Sequence, residues 1–337
     1  MIHIDGFEQF RNDGALSSSL VRADYLPGPY AITAVAGRGR LAAATALSGK
    51  NITLTRKHPF TGAQFSVGFA FTFIARGALA TVTLGENKYT LWLDANDGLA
   101  RINDTRGGAL PTITRWYYYE IEVDRAAGVM RLFINNRLDI EHPITADLAG
   151  LTEASVTLGW RAPSEFRPPD RVDGDNQYWD NDDAVKTFDD LYLRDGDHIG
   201  PLMVSTRFPT NDKHVEWFLA ATGGSHSASL ALQPPKPLDN YVASDTIGQE
   251  ERFNSGQELA NDNPVIATGV LVLARKSPSL DAKLGVFIGG QAGAALREDD
   301  RTLESEWRTQ YVCFEQVPGD TVIGVKQADF GFNVSST

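Results

Sequence analysis

Three carboxylates stand two residues apart in the segment WYYYEIEVD (116–124): Glu120, Glu122 and Asp124. Side chains of an extended strand alternate between faces, so all three project from one side. Paired carboxylates on one surface suit a retaining glycoside hydrolase, whose acid and nucleophile stand about 5–5.5 Å apart. Tyr117, Tyr119, Ile121 and Val123 take the opposite face. The same alternation describes a strand with one buried and one solvated face. We take this second reading, in which the carboxylates are the wet side and no residue is catalytic.

A second set of acidic residues lies further on. Ten aspartates fall between Asp170 and Asp197, against Arg171, Lys186 and Arg194, and carry more than half of the chain's net charge of −12. Asp173, Asp175, Asp180 and Asp182 are the candidate metal ligands, for Ca²⁺, which takes hard oxygen donors. Their spacing is not that of an EF-hand, and the bland alternative is a solvated loop or an acidic face docking a basic neighbour. Tyr178 and Trp179 interrupt the run. An aromatic face beside Asp and Asn suits a sugar ring and its hydroxyls, and it equally anchors a protein interface.

Other motifs carry less. The six histidines show no H-x-H, H-x₃-H or H-E-x-x-H spacing, so no zinc site is expected. His226 stands among serines in SHSAS, which reads as a flexible loop. Gly37-Arg38-Gly39-Arg40 lacks the Lys-Ser/Thr ending of a phosphate loop. QPPKPL (233–238) reads as a stiff connector. Beyond the candidate Ca²⁺, no cofactor is expected.

The elements that must position these residues are strands. The chain has 337 residues, with 42% hydrophobic and 22% charged, ordinary for a globular protein. At about 150 residues per domain, that length suggests two domains. Gly (31) and Pro (16) are spread along the chain, as in many short strands joined by turns. Segment 65–74, FSVGFAFTFI, alternates Phe65, Val67, Phe69, Phe71 and Phe73 against Ser66, Gly68, Ala70 and Thr72. Strands also read over 79–85, 88–93, 116–124, 129–135, 137–141, 154–160 and 186–194, with a tight turn at Asn135–Asn136. Beyond a break near 195–201 come strands 202–208, 265–275, 283–289, 308–317 and 320–334. A short helix is expected over 303–310. Cys313 is the single cysteine, which excludes an internal disulfide. The acidic balance argues against nucleic acid, and no apolar run is long enough to span a membrane. The N-terminus lacks a signal-peptide pattern, so synthesis in a cytoplasm is expected.

The run from Phe65 to Arg194 resembles the concanavalin A-like domain in its laminin-G-like version. The strand 116–124, the turn Asp124–Gly128, the strand VMRLFIN and the closing FDDLYLRDG carry the resemblance; Asn135–Asn136 replaces the family's Asp-Gly. The whole chain resembles bacteriophage virion proteins in the order of its motifs: Ile4-Asp5-Gly6-Phe7-Glu8, Phe188–Gly196, Pro209, Trp217, and Asp239-Asn240-Tyr241-Val242 through Gly248 and Phe253. Glucanases of the first fold carry E-x-D-x-E on a strand, an order that Glu120, Glu122 and Asp124 do not follow.

These resemblances imply an all-β chain. Residues 1–197 would form a laminin-G-like jelly-roll sandwich with an N-terminal arm that wraps the sandwich or reaches a neighbour. Residues 198–337 would form a smaller β domain for virion attachment or oligomer contact. The function implied is a non-enzymatic virion component of the tail, baseplate or fibre, partnered by other virion proteins and a homo-oligomer. A lectin-like module for host surface glycans, a capsid decoration protein and, remotely, a glucanase are the alternatives. In a virion, Tyr178 and Trp179 read better as an interface than as a sugar platform.

Overall fold

A computed structural model of the chain describes residues 2–7, 9–10, 16–28, 31–38, 45–50, 52–73, 77–94, 97–112, 114–159, 185–204, 206–220, 224–231, 239–254, 264–278, 282–289, 296–315 and 329–335. The protein is all-β and divides into two compact units, Met1–Ser205 and Thr206–Thr337. Residues 198–204 thus belong to the first unit rather than opening the second.

The first unit contains β1 (Ile2–Asp5), α1 (Leu16–Arg22), β2 (Leu26–Pro27), β3 (Thr33–Ala36), β4 (Thr45–Lys50), β5 (Leu54–Pro59), β6 (Gln64–Phe73), β7 (Gly77–Leu84), β8 (Asn87–Leu93), β9 (Ala100–Ile102), β10 (Thr105–Arg106), β11 (Tyr117–Asp124), β12 (Val129–Ile134), β13 (Arg137–Pro143), β14 (Glu153–Leu158) and β15 (Val185–Arg194). One sheet runs β13-β12-β11-β6-β15-β4-β3, with β1 also paired to β15; the other runs β10-β9-β8-β7-β14-β5-β2. The two form a sandwich around one apolar core.

β6 shows why. Its Phe65, Val67, Phe69, Phe71 and Phe73 all enter the core, and burying each Phe is worth about 1.5–3 kcal/mol. Phe69 stacks on Tyr119 at 5.8 Å between ring centroids, and Phe71 meets Phe188 at 4.8 Å. The turn joining β12 and β13 places Asn135 and Asn136 at φ 50° and 66°, the left-handed pair that a two-residue hairpin needs.

The N-terminal segment folds back on its own sandwich. β1 pairs with the end of β15, and Phe7, Phe10 and Tyr25 are buried in the core. One oxygen of Asp5 accepts the Phe7 N–H and the Gln9 amide, each at 2.7 Å, and the other accepts the Tyr25 hydroxyl at 2.8 Å. These bonds hold Phe7 at φ 61°, a conformation uncommon for a bulky residue.

The second unit contains β16 (Asn211–Val215), β17 (Phe218–Ala220), α2 (His226–Leu230), β18 (Tyr241–Ala243), β19 (Glu250–Asn254), β20 (Ala267–Ala274), β21 (Lys283–Gly289), β22 (Leu296–Thr302), β23 (Arg308–Glu315) and β24 (Asp329–Ser335). A five-stranded sheet, β16-β19-β24-β21-β22, is joined by the pairs β17-β18 and β20-β23. Phe253, Leu284, Val286, Val270, Val312 and Phe332 form its core.

Three expectations need correction. The strand read over 202–208 is absent among its described residues; Leu202 and Val204 instead bind across the first sheet, through the Arg38 guanidinium and Asp190. The helix read over 303–310 is an irregular stretch leading into β23, where pairing with β20 satisfies the backbone. SHSAS is a capped helical turn, with the Ser225 hydroxyl accepting the Ala228 N–H.

Candidate functional site

β11 turns Tyr119, Ile121 and Val123 into the core and Tyr118, Glu120, Glu122 and Asp124 outward. The outward face is not the solvated surface expected from alternation. Residues 195–204 cross it as a strap, and Glu120 and Glu122 are buried. Ile199 and Leu202 of the strap pack against Ala70, Tyr118 and Tyr192.

Each carboxylate has structural work. Oε1 of Glu120 accepts the Tyr192 hydroxyl at 2.7 Å and the Gly200 N–H at 2.8 Å; among the described residues its Oε2 has no hydrogen-bond partner. Burial pushes the Glu120 carboxyl upward despite those donors. Glu122 binds Arg131 at 3.0 Å and the His198 ring at 2.9 Å, and it accepts the His198 N–H at 3.2 Å. Burial alone would raise Glu122, but the His198 and Arg131 donors outweigh it and hold the carboxyl low. The His198 ring also stacks on Phe133 at 3.9 Å. Asp124 caps its turn, accepting from Ala126 and Ala127.

β6 makes room for this arrangement. A methyl group at Gly68 would lie 2.1 Å from the Tyr192 ring, so only glycine lets that ring settle against the sheet and reach Glu120.

Further along β15, alternation breaks. Asp189 pairs with Ala70 and Tyr192 with Gly68, so β15 holds one extra residue. This bulge puts Asp190 at φ 49° and leaves Asp189 and Asp190 side by side between the core residues Phe188 and Leu191. Arg38 serves both: its N–H donates to Asp189 at 2.6 Å, and its guanidinium lies 3.0 Å from Asp190. The guanidinium also donates to the Leu202 carbonyl at 2.7 Å, and Asp190 accepts the Val204 N–H at 2.8 Å. Burial raises both carboxyls; mutual repulsion adds to the rise at Asp189, while Arg38 opposes it at both.

The second sheet presents a different outer face. Thr55, Thr157, Thr81 and Thr90 fall in one row across β5, β14, β7 and β8. Thr55 and Thr157 share a hydrogen bond of 2.8 Å, and Thr81 and Thr90 one of 3.1 Å. The next row is Lys57, Ser155, Thr83 and Lys88. Two residues beyond Thr90, Trp92 lies under the Arg101 guanidinium at 5.5 Å. Arg101 is held in turn by Asp94 at 2.7 Å and Asp97 at 3.4 Å. Thr81 and Thr90 are buried, so this face offers the half-buried hydroxyls of Thr55, Thr157, Ser155 and Thr83, one aromatic ring and fixed charges; sequence reasoning missed it because its threonines come from four separate strands.

In the second unit, His226 binds buried Glu251 at 2.8 Å, and Glu251 also accepts the Glu216 and Trp217 N–H groups. The neighbouring hydroxyls of Ser225 and Ser227 bond each other at 2.9 Å. The arrangement fastens α2 to β16 and β19. Burial pushes the Cys313 thiol up to about 11, which keeps it a protonated, poor nucleophile at neutral pH.

Tyr178, Trp179, Asp173, Asp175, Asp180 and Asp182 lie outside the described residues, as does QPPKPL (233–238). Among the described residues, no group of three or more His, Cys, Asp or Glu is placed to hold a metal ion, and no helix is long and apolar enough to cross a membrane.

No family model and no curated protein matches the chain. Solved structures similar to part of it include a sialidase, at 13% identity over 58% of this chain and 18% of that one, with a TM-score of 0.37. The chain thus spans under a fifth of that sialidase. The carbohydrate-binding module CBM66 from Bacillus subtilis is 11% identical over 51% of this chain and 96% of that one, at a TM-score of 0.31. The potassium-bound carbohydrate recognition domain of Emp46p is 9% identical over 58% and 96%, at 0.34.

Proposed function

We propose that the chain is a non-catalytic, carbohydrate-recognising β-sandwich protein. The observation that carries this reading is the outer face of the second sheet. Its half-buried Thr55, Thr157, Ser155 and Thr83 supply donors and acceptors for sugar hydroxyls, and half-buried Trp92 beside them supplies an aromatic ring. The first sheet's carboxylates support the non-catalytic part. Glu120 and Glu122 are engaged by Tyr192, Gly200, His198 and Arg131, whereas a hydrolytic pair must face its substrate. A glycan array with the full-length protein tests the reading. Saturable binding to at least one glycan is expected, with Trp92→Ala weakening it about tenfold, or roughly 1.4 kcal/mol. No binding across a broad array overturns it, and release of reducing ends from β-glucans overturns the non-catalytic part.

A second reading is a structural component of a bacteriophage virion, in the tail, baseplate or fibre, with the second unit attaching to the particle. It is favoured by the pairing of Ile4 with Tyr192 and of Asp5 with Leu191, which brings together parts of two of the motifs behind that resemblance. Immunogold electron microscopy of purified parent particles tests it. Gold at the tail supports it, and absence of the protein from both intact and disrupted particles overturns it.

A further inference from the structure

We propose that the strap 195–204 is a pH-sensitive latch, held on the first sheet in mildly acidic solution and loosened when Asp189 and Asp190 are both ionised. The argument begins with a charge count. The bulge in β15 buries two adjacent carboxylates on one face, each 2% exposed, and among the described residues Arg38 serves them both, Asp189 through its backbone N–H and Asp190 through its guanidinium. The same guanidinium holds the strap through the Leu202 carbonyl, and Asp190 holds it through the Val204 N–H. Two of the strap's anchors therefore depend on a cluster that, among the described residues, sets one positive charge against two carboxylates.

Among the described residues, Arg38 is the cation that acts on both carboxyls. From β11 the facing groups are Tyr118, whose ring lies 5.3 Å from the Arg38 guanidinium and whose hydroxyl donates to the Asp190 carbonyl, and Glu120. From β15 comes Tyr192; β6 contributes Ala70 and Gly68, and the strap Leu202 and Val204. His198 and Arg131 are engaged by Glu122, further along β11.

The sign follows from linkage. Burial under the strap raises both carboxyls, so the latched state keeps a proton that a water-exposed pair releases. Rising pH then favours the unlatched state, by up to tenfold per pH unit for one proton. Unlatching uncovers Tyr118, Tyr192 and Glu120. At the far end of the face, Glu122 and His198 clamp the strap through the charged carboxylate, which resists loosening on the acid side.

Amide hydrogen exchange in the full-length protein, read as protection factors corrected for intrinsic rate, tests the latch. Between about pH 5.5 and 8.5, protection at Val204 should fall about tenfold or more, while Ile121 in the middle of β11 keeps its protection. Asp189→Asn removes one charge and should flatten the Val204 profile. Equal protection of Val204 at both pH values overturns the proposal, as does an unchanged profile in Asp189→Asn. A parallel fall at Ile121 also overturns it, by showing global opening. Should Asp189→Asn not fold, the comparison of Val204 with Ile121 in the wild type decides alone.

Discussion

Asp5 lies directly opposite Leu191 in the β1–β15 ladder, pairing the two ends of the first unit's sequence. The contact makes the N-terminal segment a part of the sandwich and not a loose arm. Phe7 is its apolar anchor, fully buried against Phe10 and Tyr25. Phe7→Ala should cost about 3–5 kcal/mol, read as a lowered urea midpoint for the first unit. An unchanged midpoint would show that the segment is dispensable.

Gly68→Ala tests the seat of Tyr192. The added methyl meets the ring at 2.1 Å, and the ring is buried and tethered to Glu120. Overpacking of this kind costs about 1–3 kcal/mol. The pair Gly68→Ala with Tyr192→Leu should be less destabilised than the sum of the single changes, because the ring that clashes is gone. Strict additivity in the double-mutant cycle would place the strain elsewhere.

Glu120 separates shape from charge. Glu120→Gln keeps an acceptor for the Tyr192 hydroxyl and the Gly200 N–H, so its unfolding midpoint should stay near that of the wild type. Glu120→Ala strands both donors, and each buried unpaired group costs about 1–3 kcal/mol. Equal losses in the two variants would contradict the acceptor role.

Two carboxylates should give opposite pH slopes. The Glu122 carboxyl is held low on balance, so its stabilisation is present above the unfolded value, near 4.3, and is lost as pH falls through the folded value. The deficit of Glu122→Gln relative to wild type should therefore be largest at neutral pH and shrink below about pH 4. Asp5 is raised by burial, in spite of the Gln9, Tyr25 and Phe7 donors. Its contribution falls as pH climbs from the unfolded value, near 3.9, through the folded one. Urea midpoints of Glu122→Gln and Asp5→Asn, each compared with wild type at several pH values, check both signs; parallel slopes would refute the assignment.

Sequence alone went furthest where local pattern decides structure. The alternation in β6 and β11 and the Asn135–Asn136 turn were legible because period and turn chemistry are local. The wet face of β11 was misjudged because its cover comes from Ile199 and Leu202, two apolar residues in a Gly- and Pro-containing segment with no periodicity. The Asp189–Asp190 pair was hidden for a related reason. Simple alternation sends consecutive residues to opposite faces, and only the bulge, set by pairing with β6, brings both to one side. The threonine row depends on the register of four strands, which no local pattern fixes. The helix expected at 303–310 gave way to β23, where cross-strand partners outweighed a weak helical preference.

The central place of β15 has a consequence for synthesis. This strand pairs with β6, β4 and β1, yet it begins only at Val185. A nascent chain therefore carries β1, β4 and one side of β6 with open edges until more than half of the protein has been made. Such edges invite mispairing and chaperone capture. The first sheet closes in a single late event, and the strap, next off the ribosome, can seal the finished face at once.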